Sequence, residues 1–145
     1  MMMQNPTLSD STRRALALAR TVASEASAAC VGTEHLLAGL LSEPSQDARA
    51  ALRQAGGDVS ALLRSERESA TTFNIGTVAV LPYSQHAKQA IIACAAEAHQ
   101  DGQSVAQPRH LLRALAVDSA NSAARLLAGV GVTIDTLRRP PHSHD

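Results

Sequence analysis

The sequence predicts an all-α fold, and three observations carry the prediction. Alanine (28 residues) and leucine (17) dominate, while Phe73 and Tyr83 are the only aromatic residues, a composition that favours helix over strand. Apolar residues recur at spacings of three and four, the helical period. The chain also repeats itself: slid by 75 positions, Leu8–Leu63 lies over Tyr83–Arg138 without a gap. Ser9 then falls on Ser84, Ala15 on Ala90, Ala23 on Ala98, His35-Leu36-Leu37 on His110-Leu111-Leu112, Leu52 on Leu127, Gly56 on Gly131 and Leu62 on Leu137. Alanines match by chance in Ala-rich helices; a His-Leu-Leu triplet and a glycine in register are a stronger sign of duplication. Each unit has about 60 residues and a thin Ala/Leu core, marginal in isolation. The expected architecture is therefore two pseudo-twofold four-helix repeats, eight helices in all, packed as one globule.

Each helix has a local reason. Ser9 or Ser11 can cap a first helix running to about Ser27, with Leu16, Ala19, Ala23 and Ala26 on one face; Ser84 caps its counterpart, which runs to about His99. Gly32-Thr33 opens a short second helix bearing Leu36, Leu37, Leu40 and Leu41, and Gln107-Pro108 opens the equivalent with proline in the first turn. The third helices, about Gln46–Ala55 and Ala120–Val130, stop at Gly56 and Gly131, and Asp58 and Thr133 can cap the fourth pair. Repeat one spans 8–65 and repeat two 81–139. Between them Glu66–Val80 loses helical periodicity and gains Thr, Asn, Gly and Val, which marks a linker. Arg138-Arg139-Pro140-Pro141 ends the last helix, leaving 140–145 as a tail.

Composition removes several function classes. Thirteen Lys+Arg balance thirteen Asp+Glu, so no global field draws nucleic acid or an anionic membrane to the chain. Two aromatics give no base-stacking platform. No apolar run reaches the roughly 18 residues of a membrane span, and Met1–Met3 leads into polar Gln4-Asn5 without a signal-peptide pattern. Cys30 and Cys94 form neither a disulfide framework nor a CxxC motif, as expected in a reducing cytoplasm. There is no GxxxxGK[ST] phosphate loop, no GxSxG and no HExxH. The reading is of a non-enzymatic, cytoplasmic protein with no cofactor and no metal. Taken as a whole protein, it carries no P-loop motor of its own.

The residues Leu8-Ser9-Asp10 with Arg13-Arg14, the stretch Val31-Gly32-Thr33-Glu34-His35-Leu36-Leu37-Ala38-Gly39-Leu40-Leu41, and Leu81-Pro82-Tyr83-Ser84 with Ala87-Lys88 carry a resemblance over nearly the whole chain. It resembles the N-terminal double-repeat domain of the Clp AAA+ unfoldases, ClpC type. Gly-Thr-Glu-His-Leu-Leu is the specific part. The resemblance implies a docking platform for adaptors and substrate proteins of a Clp unfoldase and protease, or a protein that sequesters a ligand aimed at the full-length unfoldase. It further implies that a repeat can hold a phosphorylated arginine, with Glu34 taking the guanidinium and Ser9 the phosphate. The chemistry suits those types, since a carboxylate pairs with a guanidinium while a hydroxyl and helix N-terminal amides bind phosphate.

Repeat two keeps Ser84 but has Arg109 where the glutamate should be, and an arginine cannot accept a guanidinium. That copy is expected to have lost the phosphoarginine site or to take an acidic group instead. Tyr83 stands where the family has a phenylalanine beside the inter-repeat groove; its residues read first as a hydrophobic staple before the Ser84 cap, a part it can combine with ligand contact. With Lys88, the only lysine, it marks the neighbourhood that receives cyclic peptide antibiotics in related domains. His35 and His110 are read as packed, hydrogen-bonded imidazoles, Arg13 and Arg14 as a solvated face. The alternative function is a small-molecule sensor or helical enzyme with a pocket between the repeats.

Overall fold

The computed structural model describes residues 7–58, 60–62, 81–118 and 121–138. The linker at 66–80, the first six residues and the tail at 140–145 lie outside them. Seven helices are described: α1 (Asp10–Glu25), α2 (Thr33–Ser42), α3 (Asp47–Gln54), α4 (Gln85–Gln100), α5 (Pro108–Val117), α6 (Ser122–Gly129) and α7 (Ile134–Arg138). Residues 60–62 are helical too, at the place of the fourth helix of repeat one. No strand occurs among the described residues, only two isolated bridges. The two-repeat, all-α expectation matches this architecture.

The helix ends follow the residues read from sequence. Ser9 Oγ accepts from Thr12 N at 3.1 Å and Ser84 Oγ from Ala87 N at 3.1 Å, so equivalent serines cap α1 and α4. Asp58 Oδ1 accepts from Ala61 N, and Thr133 Oγ1 from Thr136 N. Gly56 and Gly131 take φ of +86° and +82° just past α3 and α6, the left-handed conformation that ends a helix. The third helices differ at their starts. Asn121 caps α6 through Ala124 N at 2.7 Å, whereas Gln46, its equivalent, sits at φ +60° with no side-chain cap.

The core is aliphatic. Leu36, Leu37, Leu40 and Leu41 of α2 and Leu111, Leu112 and Leu115 of α5 are buried, with Ala15, Ala19 and Ala23 of α1 filling the space between the larger side chains. The α1 face therefore runs through Thr12, Ala15, Ala19 and Ala23, and Leu16 from the expected face is only partly buried. At Gly39 of α2 the α1 backbone comes so close that a methyl there would collide with the Ala15 carbonyl oxygen and lie 2.8 Å from Ala19 N. The equivalent residue of α5 is Ala114.

The repeats exchange their leading segments. Ser9 N donates to Ala106 O (3.0 Å) and Ala106 N to Thr7 O (2.9 Å); Ser84 N donates to Val31 O (2.9 Å) and Val31 N to Pro82 O (2.8 Å). Shifted by the 75-residue period, one pair of bonds becomes the other. The bridges Leu8–Ala106 and Val31–Tyr83 are thus mirror copies across the pseudo-twofold. The chain leading into the first helix of either repeat is hydrogen-bonded to the loop before the second helix of the other.

Candidate functional site

The crossed segments decide which candidate residues meet. Ser84 lies beside Val31-Gly32, at the start of the helix that carries Glu34, whereas Ser9 lies beside Ala106 of repeat two. The resemblance pairs Glu34 with Ser9 of its own repeat; the backbone bonds set Ser84 against Val31, three residues before Glu34, and Ser9 against Ala106, three residues before Arg109. The reason is the segment exchange, which the period alone does not disclose.

Around Ser84, Glu34 is half-buried in the first turn of α2, and its carboxylate folds back over Gly32. A Cβ at Gly32 would sit 2.5 Å from Glu34 Oε1. Tyr83 pairs with Val31 and packs partly into the core, and the Arg20 guanidinium of α1 lies 4.8 Å above its ring, a cation–π stack. Arg20 Nε is buried without a hydrogen-bond partner. Lys88 is exposed one turn into α4. It occupies the position where a staple partner of Tyr83 would need an apolar side chain, so the tyrosine is held by Arg20 and the core instead. Ser84, Tyr83 and Lys88 thus belong to the start of α4, whose leading segment is bonded to the loop before Glu34. Arg20 carries no motif, and only its place on α1 reveals it.

The equivalent face of repeat two is built differently. Arg109 Nη1 lies 3.1 Å from Asp47 Oδ1, and Arg109 N donates to Asp47 Oδ2 at 2.9 Å. Asp47, in the first turn of α3, therefore places a carboxylate at the N-terminus of α5, where the helix dipole favours one. The carboxylate that meets Arg109 is supplied from within the chain. Both side chains keep about a third of their exposure (33% and 27%), so Arg109→Ala should lower stability by no more than about 1 kcal/mol, measured by urea denaturation.

The two histidines act as caps. His35 Nδ1 accepts from Gly32 N and His110 Nδ1 from Gln107 N, both at 2.9 Å. His110 then donates from Nε2 to Asp101 at 2.8 Å, while Arg113 Nη1 reaches the same carboxylate at 3.0 Å. Burial holds both imidazoles below the usual histidine range, against the opposing charge of Glu34 at His35 and the Asp101 hydrogen bond at His110. Burial would raise Asp101, but its hydrogen bonds from Arg113 and His110 outweigh this and hold it below the usual carboxylate range. All three groups bind a proton less readily folded than unfolded. Stability should therefore be full above about pH 6.5, fall as the histidines are driven to protonate below it, and fall again when Asp101 titrates below about 4. Urea midpoints at about pH 7.5 and 5 check the sign: the lower pH should give the lower midpoint.

The remaining candidates play structural parts. Cys94 is buried, donates to Ile91 O, and burial pushes its thiol up to about 12, far from a reactive thiolate. Cys30 is half-buried. Arg13 is exposed beside Asp10 at 4.0 Å. Among the described residues no group of three or more His, Cys, Asp or Glu could hold a metal ion, and no helix is long and apolar enough to cross a membrane.

The Clp repeat (R) N-terminal domain model matches residues 7–75 and 82–143, the two halves of the sequence period. The chain belongs to the Clp N-terminal domain family. Among solved structures it is similar to the Hsp104 N-terminal domain from Candida albicans, at 18% identity and a TM-score of 0.72, covering 91% of this chain and 87% of that one. It is also similar to the N-terminal domain of the caseinolytic protease associated chaperone ClpD from Arabidopsis thaliana, at 20% identity and a TM-score of 0.62, covering 90% and 88%. No curated protein sequence matches it. At such identities the structural likeness speaks for the fold, and the family match for the membership.

Proposed function

We propose that the chain is a peptide- and protein-binding module of a Clp unfoldase and protease system, one that docks adaptors or substrate proteins and accepts a phosphorylated arginine as a recognition mark. The observation that supports this reading is the bonding of Ser84 N to Val31 O across the repeat junction, three residues before Glu34. A phosphoarginine side chain is cationic-planar at the guanidinium and anionic at the phosphate. Glu34 suits the first, while the Ser84 hydroxyl, the N-terminal amides of α4 and exposed Lys88 suit the second. Tyr83 and Arg20 form the wall beside them.

Repeat two offers no equal site, because Arg109 replaces the glutamate and is engaged by Asp47. The test is calorimetric titration with a phosphoarginine-containing peptide against its unphosphorylated twin. One equivalent per chain, and no heat from the twin, is the expected result. Equal binding of both peptides, or two equal sites, would remove phosphoarginine from the reading and leave the general docking role to be tested by affinity capture with Clp components.

A further inference from the structure

The two repeat junctions differ at a second place besides Glu34 and Arg109. Tyr83 sits between Pro82 and Ser84, the two residues bonded to Val31, and Arg20 of α1 stacks on its ring at 4.8 Å. Across the 75-residue period the equivalents of Arg20 and Tyr83 are Ala95 and Leu8. The junction that has Arg109 in place of the glutamate therefore has neither the guanidinium nor the ring at these positions, and the fold is built there without them. Stability does not explain the stack either. Arg20 Nε is buried without a hydrogen-bond partner, and a cation–π contact at a partly exposed position offsets only part of what an unpaired buried donor costs. Among the described residues no carboxylate forms an ion pair with Arg20. Arg109, by contrast, has Asp47.

We infer that Arg20 reads the residue next to the phosphoarginine: the docked peptide carries an aspartate or glutamate adjacent to its phosphorylated arginine, and the Arg20 guanidinium binds that carboxylate. The inference rests on the phosphoarginine reading of the junction and adds a sequence context to it. A guanidinium stacked by its face keeps its N–H donors in its own plane, aimed outward along its edges, and a planar carboxylate is the acceptor whose two oxygens match that fork. Position follows from the chain. Tyr83 is covalently next to Ser84, so a peptide with its phosphate at Ser84 brings a neighbouring residue, one Cα step of about 3.8 Å away, to the ring and the guanidinium on it. The missing carboxylate is then supplied by the ligand at this junction, where at the other it comes from within the chain.

The test titrates the whole chain with acetyl-Ala-phosphoarginine-Ala-amide and with versions carrying Glu or Gln in place of either alanine. At one flank, Glu should bind at least about fivefold more tightly than Gln, the top of the range for an exposed ion pair, because Arg20 is half-buried. Arg20→Ala, which installs the residue of the other repeat, should bring the Glu-to-Gln ratio to about one, and Arg20→Lys, which keeps the charge but loses the fork, should leave it near twofold. A purely structural part for Arg20 would lower both affinities together and leave the ratio unchanged. Should Arg20→Ala weaken both peptides beyond measurement, the ratio in Arg20→Lys decides. A ratio of one at both flanks of the parent chain, or a full ratio kept by the Arg20 variants, would overturn this assignment and leave phosphoarginine recognition standing. Loss of all binding, the alanine peptide included, would overturn both.

Discussion

Gly39→Ala should lower the free energy of unfolding by about 2–3 kcal/mol, and with it Tm by about 6–12 °C. Alanine is ordinarily the better helix former, by about 1 kcal/mol, so on propensity alone the change would stabilise α2. The packing reverses the sign. The added methyl meets backbone of α1, the Ala15 carbonyl and the Ala19 amide, and backbone cannot swing aside as a side-chain terminus can. Relief requires α1 to lift from α2, which pulls Ala15, Ala19 and Ala23 away from buried leucines. Ala114→Gly in the other repeat is the control. It removes a methyl beside an existing cleft and should cost only about 1 kcal/mol of helix propensity. A Gly39→Ala protein as stable as the parent would show that the two helices do not pack at this distance.

For the junction site, Glu34→Ala should weaken a phosphoarginine peptide by about 1.5–3 kcal/mol, roughly 10- to 150-fold, the range for a charge-assisted hydrogen bond. The serines then separate the two ways of pairing the residues. Ser9→Ala and Ser84→Ala each delete an N-cap, so each should cost about 1 kcal/mol of stability. Only Ser84→Ala should also cost affinity, because only Ser84 lies beside the helix bearing Glu34. If Ser9→Ala weakens the peptide and Ser84→Ala does not, the phosphate is held within repeat one and the cross-repeat geometry is wrong for the ligand. Arg109→Glu adds a further arm. It restores a glutamate to repeat two but sets it against Asp47, so a second equivalent should appear only when Asp47 is neutralised as well, in the Asp47→Asn background.

What could be read from the sequence is what depends on near neighbours along the chain. Ser9, Ser84, Asp58 and Thr133 are caps because each bonds three residues ahead, and Gly56 and Gly131 take positive φ where the helical pattern stops. The histidine caps were half legible: equivalence of His35 and His110 argues for a structural part, but only the fold shows that Asp101 and Arg113 serve one of them. The Asp47–Arg109 pair spans 62 residues, and no spacing rule reaches that far. Arg20 over Tyr83 is invisible for the same reason. Gly39 did leave a signal. A glycine inside an otherwise apolar helix is costly and points to a close backbone approach, although the sequence does not say to what.

The mirrored hydrogen bonds between the repeats have a meaning for association. Contacts that map onto themselves when two copies are exchanged are isologous, the kind that close a homodimer. The chain is in this sense a dimer of half-length units held on one polypeptide, where covalent linkage replaces subunit concentration. Two copies of repeat one meeting through the same surface would set Asp47 against Glu34, acid on acid. Two copies of repeat two would set Arg109 against Ser122 and leave it without a carboxylate. Only the mixed pairing joins Asp47 to Arg109. Halves split within 66–80 and mixed should therefore favour one-to-one assembly by up to about fivefold, the scale of a partly exposed ion pair, and the divergence at positions 34 and 109 biases partner choice between the halves.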